Sequence, residues 1–374
     1  MKVLLVSHTY SAITHGPAKF ARLLMELGHD SSEIDLRILT ESPTEDSDVY
    51  PVEIKLPRPF HAAIKMVRSV RYHRAAMKIR EEFPFDFLIY NDGITGFWSA
   101  LRLQGSGTKV IVMVNDDEYL LIGQNRVLTW RKRLISNIHH YLERLAVHKA
   151  TLCITCSDYL RSTVERVYQP KKKNVRTLYQ GVHLPEEVEH NPVLPFEEPI
   201  KILFVKSNPE IGGLPILLAA LGRLQQYRFH LSVVGPPRYL FEEYTALIPN
   251  DRVEVQFHGP IVQAKLFQLM QTYDILCTPS LFEGLGVANI EGLAHGITVV
   301  SSDVGGISEV LENGKLGWLA TPGDADDLAN TVEVVLNTDL QERRQKAQAG
   351  KKSVENRFTA EKMIGNLIQI LQDA

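Results

Sequence analysis

The sequence predicts an α/β protein made of two Rossmann-like lobes, each a doubly wound parallel sheet. Its 374 residues exceed the length of one ordinary domain. Short apolar runs alternate with helical patterns along the whole chain, which is typical of parallel sheets covered by helices on both faces. A segment with four prolines and five glutamates, residues 183–199, separates two such series and predicts a linker.

The predicted elements follow one another in a regular order. In the first lobe, residues 1–182, the strand KVLLVS precedes a helix, AKFARLLMEL, and later strands are FDFLIYND, KVIVMVND and TLCITCS. In the second lobe, residues 200–355, the strands are KILFVKS, LSVVGPP, VEVQFHG, DILCTPS and TVVSSDVGG. Residues 356–374 predict a C-terminal helix, for which packing back on the first lobe is one arrangement. Because ligands bind beyond the carboxyl ends of such strands, we expect the lobes to face each other across a cleft.

The composition fits a soluble globular enzyme in a reducing, cytoplasmic compartment. No apolar run reaches the roughly 18 residues that span a bilayer, and the first apolar run is too short for a signal peptide. The three cysteines, Cys153, Cys156 and Cys277, cannot all pair. Cys153 and Cys156 form a CxxC within a predicted strand, where residues three apart point to opposite faces. We therefore expect buried thiols rather than a redox or zinc site.

Charge divides the chain into a basic and an acidic part. Residues 1–180 hold 26 Lys and Arg against 19 Asp and Glu, and the remainder holds 15 against 25. The acidic second part argues against nucleic acid as a partner. The helical pattern RKRLISNIHHYLERLAVHK interleaves cations with Leu134, Ile138, Tyr141, Leu142 and Leu145. It predicts either an ordinary amphipathic helix with a solvated basic face, or peripheral contact with the inner face of the plasma membrane or a phosphate-bearing acceptor.

The stretch FEGLGVANIEGLAHG, residues 282–296, is the main candidate for a site. It follows the predicted strand DILCTPS and reads as a glycine-rich loop that opens a helix. Loop glycines let amide N–H groups approach a ligand, and a helix start favours anions. Glu283 in the loop and Glu291 in the helix could accept hydrogen bonds from the hydroxyls of a diol. A solvated Glu283 and a purely structural Glu291 are the alternative, and the residues alone leave both open.

This block resembles the carboxyl-lobe signature of glycosyltransferase family 4, nucleotide-sugar enzymes of the GT-B fold. The match is dense over residues 278–329, where Glu-x7-Glu stands between PS-x2-E-G-x-G and SDVGG-x2-E. Weaker similarities are THGPAKFARLL, VRTLYQGVHLP, LSVVGPP and NRFTAEKM. The resemblance implies two Rossmann-like lobes and a nucleotide-sugar donor.

The resemblance also implies roles for single residues. Glu283 would contact the hydroxyls of the donor sugar, and Glu291 would hold the ribose of the nucleotide. Gly16 stands where the family has a glycine-rich turn against the donor phosphates. Backbone amides that would meet the sugar or the diphosphate belong to Gly284, Leu285, Gly286 and Val287.

Two departures from the family pattern concern catalysis. After the first strand of the second lobe the family has an Arg and, five residues later, a Lys, but here Lys206 and Ile211 occupy these places. A phosphoryl leaving group needs compensating positive charge, for which Arg238 is a candidate replacement. Lys206 also lacks the bidentate fork of Arg.

The second departure follows the strand KVIVMV. Asn115 replaces the usual His near the reacting sugar, and Asp116, Asp117 and Glu118 come after it. This acidic run is either a solvated loop, a group that positions the acceptor hydroxyl through Asp116 or Asp117, or a metal site like that of the other glycosyltransferase fold.

The resemblance to this family implies a metal-independent, retaining hexosyltransferase with no further cofactor, and the donors most frequent in the family favour UDP-glucose or a related UDP-sugar. The predicted acceptor is a carbohydrate or a lipid-linked oligosaccharide, in polysaccharide or glycoconjugate biosynthesis. The catalytic candidates are Glu283, Lys206, Asn115 and Asp116. The alternatives are a non-catalytic nucleotide-binding homologue and a nucleotide-sugar epimerase or hydrolase.

Overall fold

The protein folds as two compact units in a computed structural model. The structure describes residues 1–10, 16–28, 31–42, 46–54, 64–116, 130–170, 174–185 and 193–374. The first unit comprises residues 1–181 and 360–374, and the second comprises residues 182–359. Part of the predicted linker, residues 186–192, lies outside the described residues, as do Asp117, Glu118 and the lysines at 171–173.

The described part of the first unit contains one parallel sheet. Its strands are β1 (Lys2–Ser7), β2 (Asp35–Thr40), β3 (Val49–Pro51), β4 (Phe87–Tyr90), β5 (Lys109–Val114), β6 (Leu152–Thr155) and β7 (Val175–Thr177). They lie in the order β3-β2-β1-β4-β5-β6-β7. The helices between them are α1 (Gly16–Gly28), α2 (Ile64–Glu82), α3 (Gly93–Arg102), α4 (Trp130–Lys149) and α5 (Asp158–Tyr168).

The second unit has the same type of sheet. Its strands are β8 (Ile200–Val205), β9 (Phe229–Val234), β10 (Val253–Gly259), β11 (Ile275–Thr278), β12 (Thr298–Ser302) and β13 (Trp318–Ala320), in the order β10-β9-β8-β11-β12-β13. Its helices are α6 (Leu214–Arg223), α7 (Phe241–Thr245), α8 (Gln263–Thr272), α9 (Val287–His295), α10 (Ile307–Val310), α11 (Ala325–Asn337) and α12 (Leu340–Arg357). The predicted α/β class with two parallel sheets is confirmed.

The last helix, α13 (Ala360–Gln372), belongs to the first unit. Its buried side chains Met363 and Leu367 join the same apolar cluster as Val3 and Leu5 of β1. Two buried hydrophobic side chains of this size contribute several kcal/mol of burial free energy, at about 1.5–3 kcal/mol each. The C-terminal segment is therefore part of the first core.

Short side chains cap several helices at the edge where strands end. Asp92 follows β4 and accepts a hydrogen bond from the Thr95 N–H at 2.9 Å, and Ser157 follows β6 and accepts one from the Leu160 N–H at 3.1 Å. Each such cap satisfies one of the donors left free in the first helical turn. The helices therefore begin at the carboxyl edge of the sheet.

Helix α4 exposes apolar side chains that an ordinary amphipathic helix would bury. Leu134, Ile138 and Tyr141 are 54 %, 42 % and 64 % exposed, whereas Glu143 and His139 are buried. Leu142 of the same pattern is buried, as are Ala146 and Val147, so the helix packs through a different stripe from the one that Leu134, Ile138 and Tyr141 form.

All three cysteines are buried and none forms a disulfide bond. Cys156 lies just after β6 rather than within it. No helix among the described residues has the length and apolarity to cross a membrane.

Candidate functional site

The strand order of the second sheet reverses between β8 and β11. From β8 the chain adds β9 and β10 on one side, and then β11, β12 and β13 on the other. Ligands of open α/β sheets bind beyond the carboxyl ends of the strands at such a reversal. Lys206 directly follows β8, and the loop 279–286 follows β11. The candidate site of the second unit therefore lies at this edge.

Lys206 and Glu283 form an ion pair at this edge, through Nζ and Oε2. Their side chains are 24 % and 18 % exposed, so both remain accessible to a ligand. The Lys206 N–H donates to the Val234 carbonyl at 3.0 Å, which fixes the start of the Lys206 loop against β9. One position thus offers an ammonium for phosphate oxygens and a carboxylate for sugar hydroxyls.

Two glycines allow other chain segments to approach Lys206 closely. Gly235, with φ of 112°, lies so near that a Cβ there would stand 2.6 Å from the Lys206 carbonyl oxygen. A Cβ on Gly212 would stand 2.7 Å from Lys206 Cγ. Larger residues at either place would displace the lysine, so these glycines determine its position.

A second pair of glycines supports the Glu283 loop from behind. Gly306 donates its N–H to the Glu283 carbonyl oxygen at 3.2 Å. A Cβ on Gly305 would lie 1.9 Å from that oxygen, and one on Gly306 would lie 2.4 Å from the Gly284 carbonyl oxygen. The SDVGG turn after β12 therefore holds the loop that carries Glu283.

The loop continues into α9 without a side-chain cap. Gly286 is the N-cap residue, with φ of 91°, and no side chain caps the start of the helix. Gly284 and Leu285 are buried below it, and Val287 begins the helix. An uncapped helix start carries partial positive charge, which suits phosphate oxygens.

Glu291 lies in the middle of α9 and is only 1 % exposed. Its Oε1 accepts a hydrogen bond from the Gln263 side-chain amide at 3.1 Å. Gln263 begins α8, and no pattern in the sequence signals this contact, because it joins two separate helices. The structure thus makes Glu283 the accessible and Glu291 the deep member of the predicted pair.

The two cation positions differ from the family pattern as the sequence indicated. Ile211 joins the Lys206 loop to the Glu283 loop, because its carbonyl accepts the Leu281 N–H at 2.8 Å. Arg238 lies in a 3₁₀ turn after β9 and is exposed. Within the described residues, no ion pair or hydrogen bond joins Arg238 to Lys206 or Glu283.

Of the three predicted site residues that the structure describes in the first unit, Asn115 and Asp116 lie directly after strand β5. Gly16 begins α1, and its carbonyl accepts a hydrogen bond from the Gln180 amide at 3.1 Å. Asn115 follows β5 and donates its amide to the Asn91 carbonyl and side-chain oxygens, at 3.0 and 3.2 Å. Asp116 comes next, at the end of the described segment. The Asn115 amide therefore serves first to tie two neighbouring strand ends together.

A buried acid in the first unit was missed from the sequence. Glu143 of α4 accepts a hydrogen bond from the Tyr168 hydroxyl at 2.7 Å. Burial raises the pKa of Glu143 to about 8, against the opposing effect of Tyr168. Nothing in a helical pattern marks one glutamate as buried, so the sequence offered no signal. Among the described residues, no group of three or more His, Cys, Asp or Glu side chains could hold a metal ion.

Comparisons with known proteins match both units. A family model described as glycosyltransferase family 4 matches residues 18–185, and one described as glycosyl transferases group 1 matches residues 185–353. Together they cover most of the chain.

Individual relatives are more distant. The amylovoran biosynthesis glycosyltransferase AmsK of Erwinia amylovora is 33 % identical over 35 % of this chain and 35 % of its own. The MMP α-(1→4)-mannosyltransferase of Mycolicibacterium hassiacum is 23 % identical over 95 % of this chain and 94 % of its own. The first four curated relatives are matched over 35 % to 65 % of their own lengths.

A solved structure shares the fold over the whole chain. It is that of Anabaena Alr3699/HepE in complex with UDP-glucose, with a TM-score of 0.72, 17 % identity and complete coverage of both chains. With the two family models, this agreement gives the chain its classification. The chain belongs to the family 4 glycosyltransferases of the GT-B fold.

Proposed function

We propose that this chain is a retaining hexosyltransferase that uses UDP-glucose or a related UDP-sugar as donor. The acceptor is a carbohydrate or a lipid-linked oligosaccharide. The observation that carries the proposal is the Lys206–Glu283 ion pair beside the uncapped start of α9. Family membership and the UDP-glucose complex of Alr3699/HepE, a protein of the same fold, support the choice of donor.

The ion pair suits a ligand that carries both hydroxyls and phosphates. Without donor, Lys206 and Glu283 neutralise each other. When a nucleotide sugar binds, its hydroxyls donate hydrogen bonds to the Glu283 carboxylate in place of Lys206. The Lys206 ammonium then binds the diphosphate. Lys206 and the start of α9 then stabilise the charge that builds on the leaving group as the glycosidic bond breaks.

Glu291 holds the ribose hydroxyls in this proposal. Gln263 occupies one of its carboxylate oxygens at 3.1 Å and so fixes the plane of the carboxylate. A buried, oriented carboxylate distinguishes a ligand with a diol from one without, because an unmatched polar group in such a place costs free energy.

The transfer itself needs no metal in this mechanism. The bond between the anomeric carbon and the phosphate oxygen breaks, its electron pair passes to the diphosphate, and the acceptor oxygen bonds to the same face of the sugar. Because no carboxylate is assigned as nucleophile, the acceptor attacks from the face that the diphosphate leaves, and the leaving diphosphate oxygen takes the proton of the acceptor hydroxyl. Retention of the anomeric configuration follows, and NMR of the product tests it; an inverted linkage would contradict the mechanism and point to Asp116 as a base.

Peripheral membrane contact through the first unit fits a lipid-linked acceptor. The exposed face of α4 carries Leu134, Ile138 and Tyr141 between the exposed Arg133 and Arg144. Apolar side chains bordered by cations suit an anionic bilayer surface, such as the inner face of the plasma membrane. Co-sedimentation with phosphatidylglycerol vesicles that a Leu134→Asp variant abolishes would support this contact, and equal sedimentation of both proteins would refute it.

A second candidate is a non-catalytic nucleotide-binding homologue. Ile211 stands in place of a cation, and the Asn115 amide is engaged with Asn91. A protein with one cation fewer would retain nucleotide binding and lose transition-state stabilisation.

Thermal-shift measurements with UDP-, GDP- and ADP-sugars test the donor site. We expect a UDP-sugar to raise the melting temperature, and Glu291→Gln to abolish the rise because the amide cannot accept from two hydroxyls and Gln263 together. Glu254→Gln is the control, since Glu254 is an exposed glutamate of β10 in the same unit. An unchanged shift in Glu291→Gln would remove the ribose assignment. Binding without turnover over an acceptor panel would favour the non-catalytic candidate, and release of UDP without acceptor would favour a hydrolase.

A further inference from the structure

A network of four side chains, those of His8, Glu41, Arg68 and Tyr72, lies at the strand ends of the first sheet. His8 directly follows β1, and Glu41 directly follows the adjacent strand β2, whose last pair is Ser7 with Thr40. The Glu41 N–H donates to the His8 carbonyl at 3.3 Å, so the two strand ends are joined. Arg68 and Tyr72 of α2 reach the same place.

Glu41 is the centre of this network. Arg68 donates to both carboxylate oxygens, from Nε at 2.7 Å and from Nη2 at 3.0 Å. The buried Tyr72 hydroxyl donates at 2.5 Å. Burial raises the pKa of Glu41, but the hydrogen bonds that the carboxylate accepts have a larger opposite effect, and the pKa falls to about 2. The carboxylate is therefore ionised and neutralised by Arg68.

His8 is the exposed member of the network. Its side chain is 50 % exposed, whereas those of Glu41 and Arg68 are 14 % exposed. Its Nδ1 lies 3.4 Å from Glu41 Oε2, and its Nε2 lies 3.1 Å from Arg68 Nη2. A guanidinium can only donate, so Nε2 must be the acceptor and Nδ1 must carry the proton that faces Glu41. The ring is thus held in one tautomer and one orientation.

The place of His8 in the sheet is that of a ligand-binding residue. The order of the first sheet reverses between β1 and β4, because β2 and β3 lie on one side of β1 and β4 to β7 on the other. His8 directly follows β1 at this reversal, as Lys206 directly follows β8 at the reversal of the second sheet. Ligands of open α/β sheets bind at such positions.

The chemistry of the network selects a hydroxyl as its ligand. A hydroxyl can accept from Arg68 Nη2 and donate to His8 Nε2 at the same time, which replaces their direct contact. A phosphate or carboxylate would find the charge of Arg68 already neutralised by Glu41. A carbonyl group could not donate to Nε2.

We propose that His8, oriented by Glu41 and Arg68, binds a hydroxyl of the sugar acceptor in the first unit. The assignment to the acceptor rests on the proposed function, whereas the hydroxyl preference rests on this network alone. Glu41 and Arg68 already form a complete ion pair and need no third partner. A ligand-binding role explains why they also hold the half-exposed imidazole of His8 in place.

The test uses the full chain labelled with ¹³C and ¹⁵N in histidine, and methyl α- and β-pyranosides of glucose, galactose, mannose and N-acetylglucosamine as probes. The His8 resonances are those absent from His8→Gln. We expect at least one pyranoside to shift them saturably, and tetrahydropyran, which has the ring but no hydroxyl, to leave them in place. Glu41→Gln should weaken the binding about tenfold, the effect of losing a charged hydrogen-bond partner.

A matched control exists in the second unit. His230 lies 3.3 Å from Glu254, much as His8 lies from Glu41, but on neighbouring strands rather than at strand ends. Saturation-transfer signals from the bound pyranoside should vanish in His8→Gln and persist in His230→Gln. If no pyranoside shifts His8 up to its solubility limit, or if the signal survives in His8→Gln, the proposal is overturned.

The donor site is monitored in the same samples by the thermal shift with UDP. A normal UDP shift without pyranoside binding would refute this site and leave the proposed function standing. Pyranoside binding at His8 without any response to nucleotides would support the site and count against the proposed function.

Discussion

Replacing Glu143 by glutamine is expected to make the first unit more stable at alkaline pH. Glu143 is 6 % exposed. Burial raises its pKa from 4.5 to about 8, the Tyr168 hydroxyl opposes this, and Asp116 and Asp92 add to it. Glutamine has the same shape, keeps an oxygen that accepts from Tyr168, and cannot ionise.

The size of the effect follows from the difference in proton affinity between the folded and unfolded chain. A carboxyl with a raised folded pKa stabilises the fold fully below its unfolded pKa, and this contribution is lost as the pH rises through the folded value. Each pKa unit corresponds to about 1.4 kcal/mol, so a rise to about 8 corresponds to a loss on the order of 3–5 kcal/mol between acid and alkaline conditions. The variant should lack this loss.

The assay is urea denaturation from about pH 5 to about pH 9, followed by fluorescence. A Trp318→Phe background leaves Trp98 and Trp130 as the tryptophans, both within the first unit. Glu165→Gln, an exposed glutamate of α5, is the control and should follow the parent protein. If the unfolding free energies of Glu143→Gln and the parent change in parallel over this range, the buried acid does not have the raised pKa.

Two further substitutions test other parts of the structure. Gly305→Ala should destabilise the second unit by about 1–3 kcal/mol more than Gly314→Ala and abolish the UDP-sugar thermal shift. Both glycines have positive φ, but only a Cβ at Gly305 would meet the Glu283 carbonyl oxygen, at 1.9 Å. Equal losses of stability in calorimetry would contradict this. Tyr72→Phe removes a hydrogen bond to Glu41 and should lower the free energy of unfolding by about 1.5–3 kcal/mol. Glu41, whose pKa is about 2, stabilises the fold above about pH 4.5, and this stabilisation is lost as the pH falls. Acid unfolding of the variant should therefore occur at higher pH. Circular dichroism against pH would measure it, and an unmoved midpoint would refute the role of the hydroxyl.

Long apolar runs allowed the central strands of both sheets to be predicted. Strands β4, β5, β6 and β11 are buried almost throughout, so their sequences lack polar alternation. Strand β2 escaped prediction because Asp35 and Arg37 interrupt its pattern; Arg37 donates to the Tyr50 hydroxyl of β3 at 2.5 Å. Strand β13 has only three residues, too few for a periodic signal.

The position of each candidate residue after a strand could be predicted from the sequence. Contacts between candidate residues could not, because they depend on which strands are neighbours in the sheet. Lys206 and Glu283 could each be placed after a strand, but their contact requires that β8 and β11 be neighbours. His8 and Glu41 depend likewise on the pairing of β1 with β2, the strand that was missed.

The return of the last helix to the first core makes the second unit an insertion in the chain. Its two ends are adjacent, since Val182 pairs with Thr359 and donates its N–H to the Phe358 carbonyl at 2.8 Å. Residues 182–359 could therefore be cut out as a continuous cassette with neighbouring termini, and residues 181 and 360 rejoined by a short linker. The corresponding units of related chains could be exchanged through this single pair of junctions, whereas a truncation before α13 would leave the first core open.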